Sequence, residues 1–357
     1  MTFSNSPIGL RRLYHQRITH PALEDAGAVV AWLGAMQGQD YAGTKWAFGL
    51  RLRGTTDVDI ERAIADGTII RTWGLRGTLH YVAPADIHWL VGLIAPRQIA
   101  GNALRYRQLE LDEATLARST ALIAGALQGG QHLTRTELFA ILESHGISTA
   151  GQRGFYLLQR VGLERLIYQG EMRRNVTTFL ALDAGNTLPK EAALAELARR
   201  YFRSRGPATL ADFTQWSGLL ISEARAGLEA VKSELIEDII DEQSYWLSPE
   251  TTQPPEYALY LLPGFDEYVL GYRDRSAVLD AEFADAICPG ANGIFYSTIV
   301  SDGRIIGTWK RAMKKTMVEI MLQPFRPLRA DEWDVLEIQV ARYGAFLGLG
   351  TVVRPSR

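Results

Sequence analysis

Two glutamines on either side of a glycine are the side chains best placed to do chemistry in this sequence. They lie in "AMQGQDYAG", residues 35–43, at the end of the apolar run "AVVAWLGAM". A helix that simply became a loop would more often close on glycine, asparagine or a basic residue. The amides of Gln37 and Gln39 therefore either cap backbone groups or point together into a cleft and hold something polar, such as a water. Side chains at i and i+2 share a side only in extended backbone, so the second alternative predicts that residues 37–39 lie past the end of a helix.

Other common chemistries lack their motifs. The chain has six histidines and one cysteine, with no HExxH and no CxxC, which predicts that it holds no metal. Glycine-rich phosphate-binding motifs and a GxSxG elbow are also missing, so we expect neither a nucleotide cofactor nor a serine hydrolase. The apolar runs are too short to span a bilayer, and the N-terminus lacks the order of a signal peptide. We therefore predict a cytoplasmic protein without metal or cofactor.

The charge content leaves the nature of the partner open. A net charge of -2 argues against a protein that coats polyanions without selectivity, although the distribution of charge matters more than its sum. The basic residues are 32 arginines and only 6 lysines. Arginine suits bidentate phosphate contacts and insertion into the minor groove. Codon usage in a GC-rich genome would also raise the arginine content, without any role in DNA binding.

A helical unit with a hairpin is most evident in residues 109–186. In "LTRTELFAILESHGI", Thr134 and Glu137 have the spacing of a capping box, which predicts a helix there. A further helix is predicted over about 151–164, followed by strands "LIYQG" and "TTFLAL" around the basic turn "EMRRN". Helices followed by a two-stranded wing are typical of a winged helix.

Similar patterns precede and follow this unit. Residues 187–250 contain a helix that begins near Thr209, a second helix, and a hairpin from "LIEDIID" and "SYWL", while residues 1–108 fit a third copy whose hairpin is turned by "GLR". Residues 251–357 alternate like antiparallel strands and end in a helix over about 330–346. The predicted fold is α+β, with three tandem winged-helix motifs followed by a small β-rich C-terminal domain with a terminal helix.

Four motifs in this order give the chain a resemblance to a known family. They are "WLGAMQGQDYAG", "IIRTWGLRGTLHYV", "LLPGFDEYVLGYRDR" and "VSDGRIIGTWKR". Over nearly its whole length the chain resembles the winged-helix DNA-binding family of bacterial AlkZ and YcaQ-type DNA glycosylases. Active members of that family remove N7-alkylated guanine and unhook interstrand crosslinks. The resemblance thus implies a monofunctional DNA glycosylase in DNA repair whose partner is double-stranded DNA that carries alkylated guanine, and we expect it to act as a monomer, associated with the nucleoid.

The resemblance also assigns the glutamines a role. Active members carry a catalytic motif of glutamine, an apolar residue, and glutamine or aspartate, which matches Gln37, Gly38 and Gln39, with glycine in place of the apolar residue. Asp40 lies one place past the motif and ranks second. Alkylation at N7 makes the base a neutral leaving group, so no strong general acid is needed. What remains is to orient a water toward an oxocarbenium-like sugar, which two amide oxygens can do.

Basic side chains on the predicted hairpins are the candidates for phosphate contact, with solvated charges as the alternative interpretation. On the first two hairpins they are Arg71, Arg76, Arg173 and Arg174. In the C-terminal domain they are Arg304, Lys310, Arg311, Lys314 and Lys315.

Several interpretations compete with these. His80 is expected to be a packed strand residue, and Asp266, Arg273, Asp274 and Arg275 are expected to form an internal ion-pair network. A non-catalytic winged-helix regulator would need no glutamine pair and would prefer one DNA sequence. A protein that sequesters a drug would bind a small molecule without DNA.

Overall fold

The computed structural model describes residues 7–250 and 259–355, and within them the fold is α+β. The described helices are α1 (Ile8–His15), α2 (Ala26–Leu33), α3 (Tyr41–Arg51), α4 (Asp57–Ala65), α5 (Ile87–Gly101), α6 (Ala103–Gln108), α7 (Glu113–Ala126), α8 (Arg135–Ser144), α9 (Arg153–Leu163), α10 (Lys190–Arg205), α11 (Leu210–Ser217), α12 (Ile221–Val231), α13 (Glu267–Leu270), α14 (Ala284–Ile287) and α15 (Ala330–Leu347). Within the described ranges, no helix is both long enough and apolar enough to cross a membrane.

The strands form two larger sheets and one separate hairpin. They are β1 (Met36–Gln37), β2 (Ile70–Trp73), β3 (Leu79–Val82), β4 (Leu133–Thr134), β5 (Ile167–Arg173), β6 (Val176–Ala181), β7 (Ile236–Ile240), β8 (Gln243–Leu247), β9 (Leu259–Leu262), β10 (Thr298–Ser301), β11 (Arg304–Met313), β12 (Met317–Pro324) and β13 (Gly350–Pro355). One sheet has the order β1-β3-β2-β5-β6-β4, the second has the order β13-β12-β11-β10-β9, and β7 pairs with β8 alone. Among these described strands, only β12 and β13 are parallel neighbours.

Local signals account for many of these elements. The capping box predicted at Thr134 is present, because its hydroxyl accepts from the backbone of Glu137 while the glutamate accepts from Thr134. Thr209 caps α11 in the same way, and Gly218 ends that helix with a left-handed φ of 71°. The predicted final helix is also confirmed, as α15.

The predicted hairpins are likewise confirmed. β2 pairs with β3, β5 with β6, β7 with β8, and β10 with β11, all antiparallel. Three of the four have turns of only two residues, both with positive φ, as tight hairpins require. These pairs are Arg174 and Asn175, Asp241 and Glu242, and Asp302 and Gly303.

Packing crosses the limits predicted at residues 108, 186 and 250. The first two hairpins join one sheet, where Arg71 in β2 lies opposite Gln169 in β5. Helices α1 to α4 share a hydrophobic core with the C-terminal sheet and α15, which includes Trp46 and Trp309. The division of the chain into four units stays a prediction, with the units 1–108, 109–186, 187–250 and 251–357. The last boundary adjoins residues 251–258, which lie outside the described part of the chain. As a consequence, residues near the glutamines are held by contacts with residues that are distant in sequence.

Candidate active site

The chain leaves α2 in the way that the spacing of the glutamines predicts. The helix ends at Leu33, and Gly34 takes a φ of 75°, which turns the chain into β1. In β1, Met36 lies opposite Tyr81 and Gln37 lies opposite His80. The prediction that the pair lies past the helix end is therefore confirmed; Gln37 is in a strand, while Gln39 lies in a bend before α3.

The two amides contact each other. The Gln37 side chain, only 6% exposed, donates through Nε2 to Gln39 Oε1 at 2.9 Å. The hydroxyl of Thr78 lies 3.0 Å from Gln37 Oε1. Gln39 itself is exposed to solvent. A row of hydrogen bonds thus runs from Thr78 through Gln37 to an amide at the surface, where it can meet a water or a ligand.

Gly38 is packed between two neighbours. Its N–H donates to Leu79 O at 2.7 Å, and its carbonyl accepts from Arg71 Nε at 2.9 Å. A Cβ atom at this position would lie 3.2 Å from the ring of Tyr81, closer than most such contacts. Glycine therefore allows the strand to lie against the tyrosine, and its backbone is held on both sides.

Asp40 has structural partners. Its carboxylate accepts from the N–H of Gly43 at 3.0 Å and caps α3. It also lies 3.8 Å from the guanidinium of Arg311 in β11. Asp40 stays second to the glutamines, since its contacts are those of a helix cap and an ion pair.

A buried carboxylate that the sequence patterns missed holds the backbone of the pair. Glu267 accepts from the N–H of Gln37 at 2.9 Å through Oε1. Its Oε2 accepts from Arg205 Nη2 at 2.7 Å and from Trp216 Nε1 at 2.9 Å. Both Glu267 and Arg205 are buried. Glu267 lies within "LLPGFDEYVLGYRDR", the motif in which only the neighbouring charges were singled out.

Arg205 also fixes the corner before β1. Its Nη1 donates to Leu33 O at 2.7 Å, and its Nη2 donates to Ala35 O at 2.8 Å. Burial alone would raise the pKa of Glu267, but the charge and hydrogen bonds of Arg205 outweigh it and leave that pKa below its usual value. Glu267 and Arg205 therefore form a charged pair that anchors residues 33–37.

Two other ionisable groups near the pair are engaged in the fold. His80 is fully buried, and desolvation, together with the charge of Arg76, lowers its pKa to about 4, so it is neutral near pH 7. This agrees with the expectation of a packed strand histidine. The ammonium of Lys45 lies 2.8 Å from Asp57 and 2.5 Å from Glu61.

The structure corrects the role predicted for Arg71 and gives Arg76 partners in another segment. Arg71 is buried, and besides Gly38 it donates to Gln169 Oε1 at 3.0 Å. Arg76 donates to the carbonyls of Gln215 and Trp216 at the end of α11. The buried Arg71 is not a surface contact for phosphate, because it joins the first hairpin to other parts of the fold. Arg76 is exposed, and phosphate contact by it stays a prediction.

The remaining hairpin charges are more exposed. Arg173 pairs with Glu137, and Arg174 lies in the turn between β5 and β6. Arg304, at the start of β11, pairs with Asp280. These residues lie on the protein surface, and phosphate contact by them stays a prediction.

The hairpin of β11 and β12 carries the other predicted cations. Lys310, Lys314 and Lys315 are exposed, with Lys314 at 4.0 Å from Glu319. Arg311 is half-buried and donates to the hydroxyl of Tyr343 at 2.8 Å. The four cations therefore differ in exposure: the three lysines lie on the surface, whereas the arginine is packed against α15.

The ion-pair network predicted around Asp266 has different partners. Asp266 pairs with Arg51 at 2.9 Å, and both side chains are buried. Arg275 donates to Val269 O at 2.8 Å, while Asp212 accepts from the backbone N–H groups of Arg273 and Asp274. The predicted pairing within the motif is wrong for Asp266, because this buried carboxylate finds its counter-charge in the distant helix α3.

Comparison with known proteins adds to this geometry. The family model described as "DNA glycosylase AlkZ-like" matches residues 30–346. The chain is 25% identical over 346 residues to the interstrand DNA cross-link repair glycosylase of Streptomyces sahachiroi, with 88% of each chain covered. The solved structure of Streptomyces sahachiroi DNA glycosylase AlkZ superimposes with a TM-score of 0.81 over 98% of both chains, at 23% identity. That structure has the same fold.

Proposed function

The chain belongs to the family of AlkZ-like DNA glycosylases, and we propose that it hydrolyses the N-glycosidic bond of N7-alkylguanine in double-stranded DNA. Bulky adducts and interstrand crosslinks are included in the proposal, because the similar Streptomyces protein is named for cross-link repair. The observation that carries the proposal is the contact between Gln37 and Gln39, with the second amide open to solvent.

The proposed mechanism needs no acid and no metal. The cationic alkylated base leaves as a neutral molecule, and positive charge develops on the sugar. The amide oxygens orient the attacking water, and their dipoles favour the developing charge. Because Gln37 is held through its backbone by Glu267 and through its side chain by Thr78, the geometry is set before DNA binds.

The reaction is proposed to stop at base release. Lyase chemistry would need an amine that attacks the sugar to form a Schiff base. Lys45, the lysine nearest the motif in sequence, is engaged by two carboxylates. Water is therefore the nucleophile.

Purified protein is expected to release base from a duplex that carries N7-methylguanine and to leave an intact abasic strand. Release is followed by chromatography, and the strand by denaturing electrophoresis before and after alkaline cleavage. A complex trapped by borohydride would exclude the water mechanism. If no alkylated duplex yields free base and binding selection returns a tight consensus, the regulator is the better interpretation.

We further propose that the helix and hairpin units act as winged helices on DNA, and that the β11–β12 hairpin clamps the phosphates. Three of the six lysines in the sequence, Lys310, Lys314 and Lys315, lie within six positions of one another on this hairpin. Long cationic side chains on an exposed hairpin suit contact with a duplex backbone. The ion pair of Asp40 with Arg311, which lies near the turn of the hairpin, brings this part of the hairpin beside the glutamine segment.

Replacing Lys310, Lys314 and Lys315 by alanine is expected to weaken DNA binding equally for all sequences. For every phosphate that is no longer neutralised, the slope of log affinity against log salt should fall by about 0.9. Arg311 stays in place because it contacts Tyr343 and Asp40. Binding is measured by fluorescence anisotropy at several salt concentrations, with the exposed Lys232 replaced as a control. An unchanged slope would limit these lysines to a role in solubility.

A further inference from the structure

The loop between β2 and β3 is built to hold one hydroxyl at the glutamine pair. Arg76 and Gly77 have φ values of 55° and 75°, so the loop is a tight left-handed turn. The N–H of Gly74 donates to the carbonyl of Thr78 at 2.8 Å, which closes the turn. Gln98 in α5 donates to Gly74 O at 2.7 Å from outside. Thr78 is therefore carried on a braced loop.

The hydroxyl of Thr78 has one proton and two acceptors within reach. Gln37 Oε1 lies at 3.0 Å and Leu75 O at 3.1 Å. Leu75 O already accepts from the backbone N–H of Thr78 at 3.2 Å. Donation to Gln37 thus leaves both oxygens with a partner, and it is the arrangement with the most hydrogen bonds.

This donation sets the direction of the whole row. With its oxygen turned toward Thr78, Gln37 must present its amide hydrogens to Gln39, whose oxygen lies 2.9 Å from Gln37 Nε2. If Gln37 were turned over, two amide oxygens would face each other, and Gln39 would have to turn as well. The group that each amide presents to the reacting atoms would then change.

We propose that Thr78 is a positioning residue that orients the Gln37 amide, and through it the Gln39 amide, for the reaction. The inference rests on the proposed function and deepens it. Thr78 acts through the glutamines, so its loss lowers the rate of bond cleavage while leaving the binding of DNA unchanged.

The test compares Thr78→Val, which keeps the shape without the hydroxyl, with Thr78→Ser, which keeps the hydroxyl. For the valine variant, single-turnover release of N7-methylguanine should slow by about tenfold, in line with the loss of one orienting hydrogen bond. The serine variant should remain within about twofold of the unsubstituted protein, and both variants should bind the duplex with unchanged Kd. A merely structural role would change folding and Kd together and would not separate valine from serine.

A second readout keeps the inference separate from the function itself. In protein labelled with 15N-glutamine, the side-chain amide signal of Gln37 should move in Thr78→Val and stay in place in Thr78→Ser. If the unsubstituted protein releases no base, the proposed function fails, and the amide signal alone decides whether Thr78 orients Gln37. An unchanged signal in the valine variant, or a valine variant as fast as the unsubstituted protein, would overturn the inference.

Discussion

Gln39→Ala is expected to slow base release by about 100-fold or more, the usual cost of removing one oriented polar group from a hydrolytic site. The Gln39 side chain ends the row of hydrogen bonds and is exposed, whereas Gln37 is buried behind it. Because an exposed amide contributes little to packing, stability should change by no more than about 0.5 kcal/mol. Single-turnover release of N7-methylguanine measures the rate, and thermal unfolding measures stability.

The matched control is Gln128→Ala, another exposed glutamine, at the end of α7. It should leave the rate and the Kd for DNA unchanged. A Gln39→Ala variant as active as this control would remove the amide pair from the mechanism. Loss of DNA binding rather than of rate would instead assign Gln39 to substrate binding.

Glu267→Gln is expected to lower the free energy of unfolding by about 3–5 kcal/mol, because Arg205 would remain buried without its counter-charge. The neutral amide would also present hydrogens toward donors, since Arg205, Trp216 and the N–H of Gln37 all donate to the carboxylate. Unfolding in urea gives the change in stability. Activity should fall as well, because Arg205 and Glu267 fix the segment that carries Gln37.

The control is Glu282→Gln, which neutralises an exposed carboxylate in the same part of the chain. An equal urea midpoint for the two variants would show that the buried charge contributes nothing. Acid sensitivity gives a second check. The pKa of Glu267 is lowered in the fold, so the pair's stabilisation is present above its ordinary value of 4.5 and is lost as pH falls through the lowered pKa. Glu267→Gln should lose this part of the acid dependence.

Helices with strong local signals were predictable, and helices without them were missed. Thr134 and Thr209 mark their helices through interactions three residues apart. By contrast, α3 contains Gly43 and Gly49, which weaken a helical pattern. A Cβ atom at Gly49 would lie 2.8 Å from the ring of Phe346 in α15. That glycine is explained by a contact with the far end of the chain.

The sequence by itself determined the hairpins, the capped helices and the position of Gln37 and Gln39 past the end of α2, because each depends on residues a few positions apart. Only the tertiary structure decided which charges turn inward. Glu267 lies 230 residues from Gln37, and the buried Arg71 reaches the side chain of Gln169, 98 residues away. The sequence does not distinguish a solvated arginine or glutamate from a buried one. Its role depends on whether the folded chain supplies a counter-charge or carbonyl to offset desolvation, and that partner exists only once distant segments have packed together.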